Sequence, residues 1–366
     1  MIPLSKPYFD SYELNELAGV LDSGWVAKGP KAAEFERGIG RFLIRDYSNV
    51  IAVNNCTAAL HLSLMAFGIG PGDEVLVPDF TFPATALAVM YVGATPVFVD
   101  INPYTYNIDM DDAAYKVTEK TKAIIPVHTF GQCADMNLVM HLAFKMNLYV
   151  IEDAACAFGS KYDGQYAGTF GHAGCFSFHA RKGLTTGEGG AVVVKGKIAS
   201  KKIRLMSQFG IEGAFERSNK ETIIPKVEMV GYNYKMSDIV AAVGVAQLKK
   251  IDRMIEGRRE WANRLDRFVE KSLELKVPYR DARCYHTFQS YVALAKDNET
   301  RDKLIVGLKT RRNPIQASVG TYSLQEQPIF KRFNKNDCPV SRDIAHRAIA
   351  LPMYYGIMKN HRKGIK

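Results

Sequence analysis

The chain is expected to fold as an α/β domain on a mostly parallel sheet, followed by a smaller C-terminal α+β domain. Short apolar runs rich in Val, Ile and Phe alternate with helix-like stretches over the first two-thirds of the sequence, as βαβ units require. The runs lack clean in–out alternation, which marks strands covered on both faces. This pattern stops at Ser237, where a long amphipathic stretch leads into short, mixed pieces.

In order, the apolar runs are Val50–Val53, Val75–Val77, Val97–Val99, Ala123–Val127, Leu148–Ile151, Cys175–Phe178 and Ala191–Val194, which predicts a seven-stranded sheet. Helices are expected at Thr57–Phe67, Thr81–Tyr91 and Asn137–Lys145. Ser237 and Asp238 suit a helix N-cap. Ile239, Val243, Leu248, Ile251, Ile255, Leu265 and Phe268 then form a helical stripe, as one long helix or two. After Pro278 come strand-like pieces such as Ser290–Ala293. The large domain is therefore placed at 1–240, and the linking helix with the small domain at 241–366. Open parallel sheets bind ligands beyond the carboxyl ends of their strands. That directs attention to the loops beginning at Asn54, Pro78, Asp100, His128, Glu152 and His179.

Composition narrows the function. With 366 residues, 47% hydrophobic and 23% charged, the chain is neither disordered nor collagen-like nor a small disulfide scaffold. A net charge of +10 favours anionic partners such as phosphorylated metabolites. The basic residues are dispersed except at Lys359, His361, Arg362, Lys363 and Lys366, read as a solvated end. Nothing here requires nucleic acid. Six cysteines without a C-x-x-C pair indicate reduced thiols and a cytoplasmic location. The first residues carry no signal-peptide pattern, and the apolar stretch Thr85–Val99 is too short to span a membrane. G-x-G-x-x-G, the P-loop, H-E-x-x-H and G-x-S-x-G are all missing. Metal catalysis and serine hydrolysis therefore find no support.

Three loops carry chemistry. Asn54-Asn55-Cys56-Thr57-Ala58 opens a helix, so its amides and the Thr57 hydroxyl could bind an anion; Thr57 could equally be a simple cap. Glu152-Asp153 ends a strand, where an acidic pair can bind a ribose, a metal or a ring nitrogen, or act as a cap for the next turn. The segment Cys175–Val193 sets Lys182 in a loop rich in Gly and Thr, with Ser177 five residues earlier, able to fix an anion near the amine.

Further blocks extend the pattern: Ile2-Pro3-Leu4-Ser5-Lys6-Pro7, Ser23-Gly24-Trp25-Val26, Gly29-Pro30-Lys31, Pro71-Gly72-Asp73-Glu74-Val75, Thr81-Phe82, Gly131-Gln132, Glu152-Asp153-Ala154-Ala155, Phe176 to Gly190, and Gly231 to Ser237. In these blocks the chain resembles, almost end to end, the DegT/DnrJ/StrS family of pyridoxal-phosphate (PLP) sugar aminotransferases, of fold-type I. The resemblance implies that Lys182 is the amine that bonds the PLP aldehyde and later shuttles a proton, a task suited to a buried amine of lowered pKa. It makes Asp153 the partner of the pyridine nitrogen and Phe82 the ring that stacks on the cofactor. Thr57, Ala58 and Ser177 align with the phosphate cup. Asn233 aligns with a residue reaching the phosphate of a neighbouring subunit, which implies a homodimer with shared sites. The implied reaction moves an amino group from L-glutamate to a nucleotide-linked ketosugar, for aminosugar and polysaccharide synthesis. Trp25, Lys28 and Tyr322 are expected on the substrate side.

The sequence departs from the family at several points. Cys56 replaces a glycine. Cys156 replaces a glutamine near the ring hydroxyl. Lys28 replaces a small hydroxyl residue, and Gln325 stands where a histidine is common. Two other readings compete. A PLP-dependent sugar dehydratase would carry histidine in place of Lys182. A regulatory relative that binds without turnover would not need both Lys182 and Asp153.

Overall fold

The computed structural model describes residues 1–43, 49–212, 225–333 and 337–357; the basic cluster at Lys359–Lys366 lies outside them. Helices α1 (Ser11–Ser23) and α2 (Pro30–Leu43) come first. They are succeeded by β1 (Val50–Val53), α3 (Cys56–Ala66), β2 (Glu74–Pro78), β3 (Phe80–Thr81), α4 (Ala84–Tyr91), β4 (Thr95–Val99) and α5 (Met110–Tyr115). Next come β5 (Thr121–Ile124), α6 (Met136–Met146) and β6 (Tyr149–Asp153). A short antiparallel pair, β7 (Lys161–Tyr162) and β8 (Gln165–Tyr166), leads to β9 (Ala173–Ser177), β10 (Gly190–Val194), α7 (Lys197–Met206) and the paired β11 (Ile211–Glu212) and β12 (Lys226–Val227).

The seven expected strands form one sheet in the order β1-β10-β9-β6-β5-β2-β4. From β9 to β4 all pairs are parallel, while β10 runs against both of its neighbours. Every residue of β1, β9 and β10 is buried. Helices cover both faces, so neither can be polar. Leu76 and Val150 enter one core layer with Phe35 and Phe176, and their neighbours Val75 and Ile151 enter the other with Leu60 and Leu64. The helix expected from Thr81 starts at Ala84, because Phe80–Thr81 is extended and Pro83 occupies the cap.

The stripe beginning at Ser237 is two helices, α8 (Asp238–Leu248) and α9 (Ile251–Val269). Helix α8 packs on α1 and α2, so residue 240 falls within the first turn of a large-domain helix. Helix α9 buries Trp261, Leu265 and Val269 in the small-domain core. That core lies on an antiparallel sheet of β13 (Leu275–Lys276), β15 (Tyr291–Ala295), β18 (Ala348–Leu351) and β16 (Ser318–Val319), with α10 (Asn298–Thr310) and α11 (Pro339–Arg347). Strand β14 (Cys284–Tyr285) returns to β7, and β17 (Tyr322–Ser323) leaves the small domain to pair with β3. Among the described residues no helix is long and apolar enough to cross a membrane.

Strand β6 ends on two carboxylates, which alternation sends to opposite faces. Glu152 is wholly buried. It accepts hydrogen bonds from the amides of Gly168, Phe170 and Gly171, each at 2.7 Å, and lies 2.9 Å from His128 Nε2. It thereby fixes the loop that feeds β9. Glu152→Ala leaves three amides and an imidazole without their acceptor, and should cost roughly 3–5 kcal/mol. The check is the urea midpoint at unchanged slope; a loss below ~1 kcal/mol would mean the loop is held by other contacts.

Candidate active site

The site lies at the carboxyl ends of β6, β9 and β10. Asp153 is 5% exposed. Its Oδ2 accepts from Thr85 Oγ1 at 2.8 Å and its Oδ1 from the Ala155 amide at 3.1 Å. Thr81 Oγ1 lies 3.1 Å from Thr85 Oγ1, which extends the chain of contacts toward β3. A buried carboxylate needs such partners.

Lys182 sits in the loop between β9 and β10, which folds back on itself. The Phe178 amide donates to the Gly189 carbonyl at 2.8 Å, and the Thr186 amide to the Phe178 carbonyl at 2.9 Å. The Lys182 amine donates to Cys156 Sγ at 3.1 Å. Burial pushes the pKa of this amine down, but Cys156, Asp153 and Cys56 act the other way and hold it above the ordinary lysine value. This reverses the lowered value expected from the sequence: the hydrogen bond to Cys156 and the charges around the amine outweigh the cost of burying it. Cys56 and Cys175 are pushed well up by burial, and all six cysteines are free.

The anion-binding loop is close by. At the start of α3, the Asn55 side chain accepts from the Ala58 amide at 2.8 Å, so Ala58 is already capped. Among the described residues, neither the amide nor the hydroxyl of Thr57 has a protein partner. Gly190 lies between Val53 and Ser177 in the sheet. A Cβ there would come within 2.5 Å of the Asn55 carbonyl carbon, so glycine lets the start of α3 press against β10. Asn54 Oδ1 is buried without a hydrogen-bond partner.

Phe82 and Tyr322 form a second group, with ring centroids 6.3 Å apart and 58% and 42% exposed. A third group lies along the edge beyond β1. Lys235 bridges to Val53, and its amine donates to Asn233 Oδ1, which is exposed. Lys28 belongs here, with Glu36, Arg204, Lys235 and Asp238 as neighbours. Burial, helped by Arg204 and Lys235, pushes its amine down to about 8 against the pull of Glu36 and Asp238. Trp25 packs where a Cβ on Gly29 would stand 2.7 Å from its ring. Asp238 straps this loop, accepting from the amides of Gly29, Lys31 and Ala32 at 2.7–2.9 Å.

The arrangement thus gathers Asp153, Cys156 and Lys182, sets the start of α3 with Thr57 and the end of β9 with Ser177 on either side of Gly190, and groups Lys28 and Asn233 around Lys235, with Trp25 against Gly29. Sequence reasoning missed Thr85, which orients Asp153, and Asp238. The only signal for Thr85 was its i, i+4 spacing from Thr81, which carries no meaning until the end of β6 is known to face it. The donor set suits a phosphorylated pyridine aldehyde. Thr57 and Ser177 could hold its phosphate, Asp153 its ring nitrogen, Lys182 its aldehyde carbon and Phe82 a ring face.

Comparison with known proteins identifies the family. The protein SpsC of spore coat polysaccharide biosynthesis from Bacillus subtilis (strain 168) is 37% identical over 361 residues, covering 96% of this chain and 92% of that protein. GDP-perosamine synthase of Escherichia coli O157:H7 is 36% identical over 355 residues, covering 96% and 93%. Among solved structures, the aminotransferase TlmJ from Streptoalloteichus hindustanus superposes with a TM-score of 0.90 at 29% identity, covering 97% of this chain and 93% of that one. The PLP form of Spr1654 from Streptococcus pneumoniae gives 0.88 at 28% identity, covering 96% and 93%. The pattern of the DegT/DnrJ/EryC1/StrS aminotransferase family matches residues 7–365, and the chain belongs to that family of PLP-dependent sugar aminotransferases.

Proposed function

We propose that this enzyme moves the amino group of L-glutamate to the keto group of a nucleotide-linked sugar, making an aminosugar for polysaccharide or glycoconjugate synthesis. The reading places it in the cytoplasm as a homodimer in which Asn233 reaches the neighbouring site. The observation that carries it is the part-buried amine of Lys182, which donates to Cys156 Sγ and feels the charge of Asp153.

Each residue then has a task. Thr57 and Ser177 bind the cofactor phosphate at the start of α3. Phe82 covers the ring. Asp153, fixed by Thr85 and Ala155, holds a proton on the ring nitrogen. PLP, when bound, supplies an electron sink for the carbanion formed at the substrate carbon. The amine of Lys182, oriented by its hydrogen bond to Cys156 Sγ, is placed to take a proton from the donor's α-carbon and return it. Lys28, a part-buried cation beside Lys235, suits an anionic diphosphate.

Two outcomes test this. Holoenzyme should show a yellow absorbance that borohydride fixes onto the peptide containing Lys182, and glutamate should convert the cofactor to its amine form. Lys182→Ala should lose both, and a variant that keeps them would move the lysine assignment elsewhere. For Lys28, the lowered value means full positive charge well below pH 8 and loss of charge as pH rises through about 8. KM for the sugar nucleotide should therefore rise above that pH. Lys28→Ser should raise KM at pH 7 by roughly fivefold, about 1 kcal/mol, and flatten the alkaline limb; an unchanged limb would remove Lys28 from the substrate side.

A further inference from the structure

Asp79 follows β2 and precedes β3, and it is wholly buried. Both of its side-chain oxygens point to the small domain. Oδ2 accepts from Ser323 Oγ at 2.6 Å and Oδ1 from the Gln325 amide at 2.7 Å. Its carbonyl accepts from the Leu324 amide at 3.0 Å. The pairing of β3 with β17 sets Ser323 opposite Phe80 and Tyr322 opposite Thr81. Four consecutive small-domain residues are thus fixed beside Phe82. The same pairing reaches the centre of the site, because Thr81 meets Thr85 and Thr85 donates to Asp153.

A buried carboxylate without a cationic partner is costly. Burial raises the Asp79 carboxyl to about 6; Asp100 and Glu326 act in the same sense, and the Ser323 and Gln325 donors oppose them. Asp79 is therefore anionic at neutral pH.

We infer that Asp79 is a positioning residue that locks the segment Tyr322–Gln325 onto the large domain and so pairs Phe82 with Tyr322 as a two-ring wall; with Phe82 against the cofactor ring, that wall controls access to the aldehyde carbon that Lys182 bonds. This rests on the PLP reading above. The lock acts through Ser323 and the Gln325 amide, not through the substrate. Asparagine at 79 can still accept from that amide and donate to Ser323 Oγ, whereas alanine can do neither.

The test follows the bleaching of holoenzyme's yellow absorbance by hydroxylamine, a small nucleophile that needs no acceptor sugar. Asp79→Ala, which loses both contacts, should bleach roughly fivefold faster; Ser323→Ala, which loses one of them, should bleach faster than wild type by a smaller factor, and the double variant no faster than Asp79→Ala. Asp79→Asn should stay within about twofold of wild type. Val139→Ala, which opens a cavity under α6 and touches no residue of the site, should bleach as wild type does, which separates access from general loosening. Wild-type bleaching in Asp79→Ala or in Ser323→Ala overturns the lock, as does Asp79→Asn bleaching as fast as Asp79→Ala; Ser323→Ala decides if Asp79→Ala does not fold. A wild-type protein that never forms the borohydride-fixable absorbance refutes the cofactor reading, and the lock with it.

Discussion

The end of strand β6 carries two adjacent buried carboxylates, and much of the site depends on how each is satisfied. Two such charges on one face would repel, and one would take up a proton. The pleat separates them. Glu152 gathers three amides and faces His128 on one side, while Asp153 takes Thr85 and Ala155 on the other. The first carboxylate fixes the loop that leads into β9, and β9 delivers Ser177 and the loop of Lys182. The second is one of the groups that hold the pKa of this amine up. A single strand end therefore both anchors the loop that leads to Lys182 and adds to the charge around its amine.

The fold was legible where burial alone dictates residue type. The seven sheet strands read as apolar runs because helices cover both faces, and the observed strands overlap every one of the runs. The amphipathic stripe after Ser237 was legible as helix, but its break was not. Leu248 and Ile251 continue the apolar spacing across the Lys249–Lys250 turn, and Ile251, Met254 and Ile255 still enter the large-domain core before Trp261, Leu265 and Val269 enter the small one, so periodicity sees one unbroken face. Strands of two residues, such as β3 and β17, are too short to carry any period.

In the site, local chemistry was legible and long-range chemistry was not. Lys182 and Asp153 stand in loops whose composition marks them, and the resemblance assigned their tasks. Thr85 and Asp79 are ordinary residues in ordinary stretches, and they gain meaning only through partners 68 and 244 residues away. Ala58 shows the converse: its place at a helix start suggested an anion contact, but Asn55 already caps its amide. A helix start offers several donors, and the N-cap side chain decides which remain open. The expected lowering of the Lys182 pKa failed for a related reason. Burial could be anticipated from the loop, but the charges facing the amine could not.

The junction between the domains divides its work between two kinds of contact. Phe98, Leu324 and Phe330 form an apolar cluster that holds the small-domain loop against the large domain. Such packing adheres strongly but has no preferred direction. A two-residue strand pair could slip by one residue at little apolar cost, and a slip of one would turn every side chain of β17 to the opposite face. Tyr322 would then leave Phe82 and Ser323 would take its place. The hydrogen bonds to Asp79 forbid that, because they are directional and only one register sets the Ser323 hydroxyl and the Gln325 amide on the two carboxylate oxygens together. Apolar area thus supplies the adhesion, and a single buried charge supplies the register on which the geometry of the aromatic wall depends.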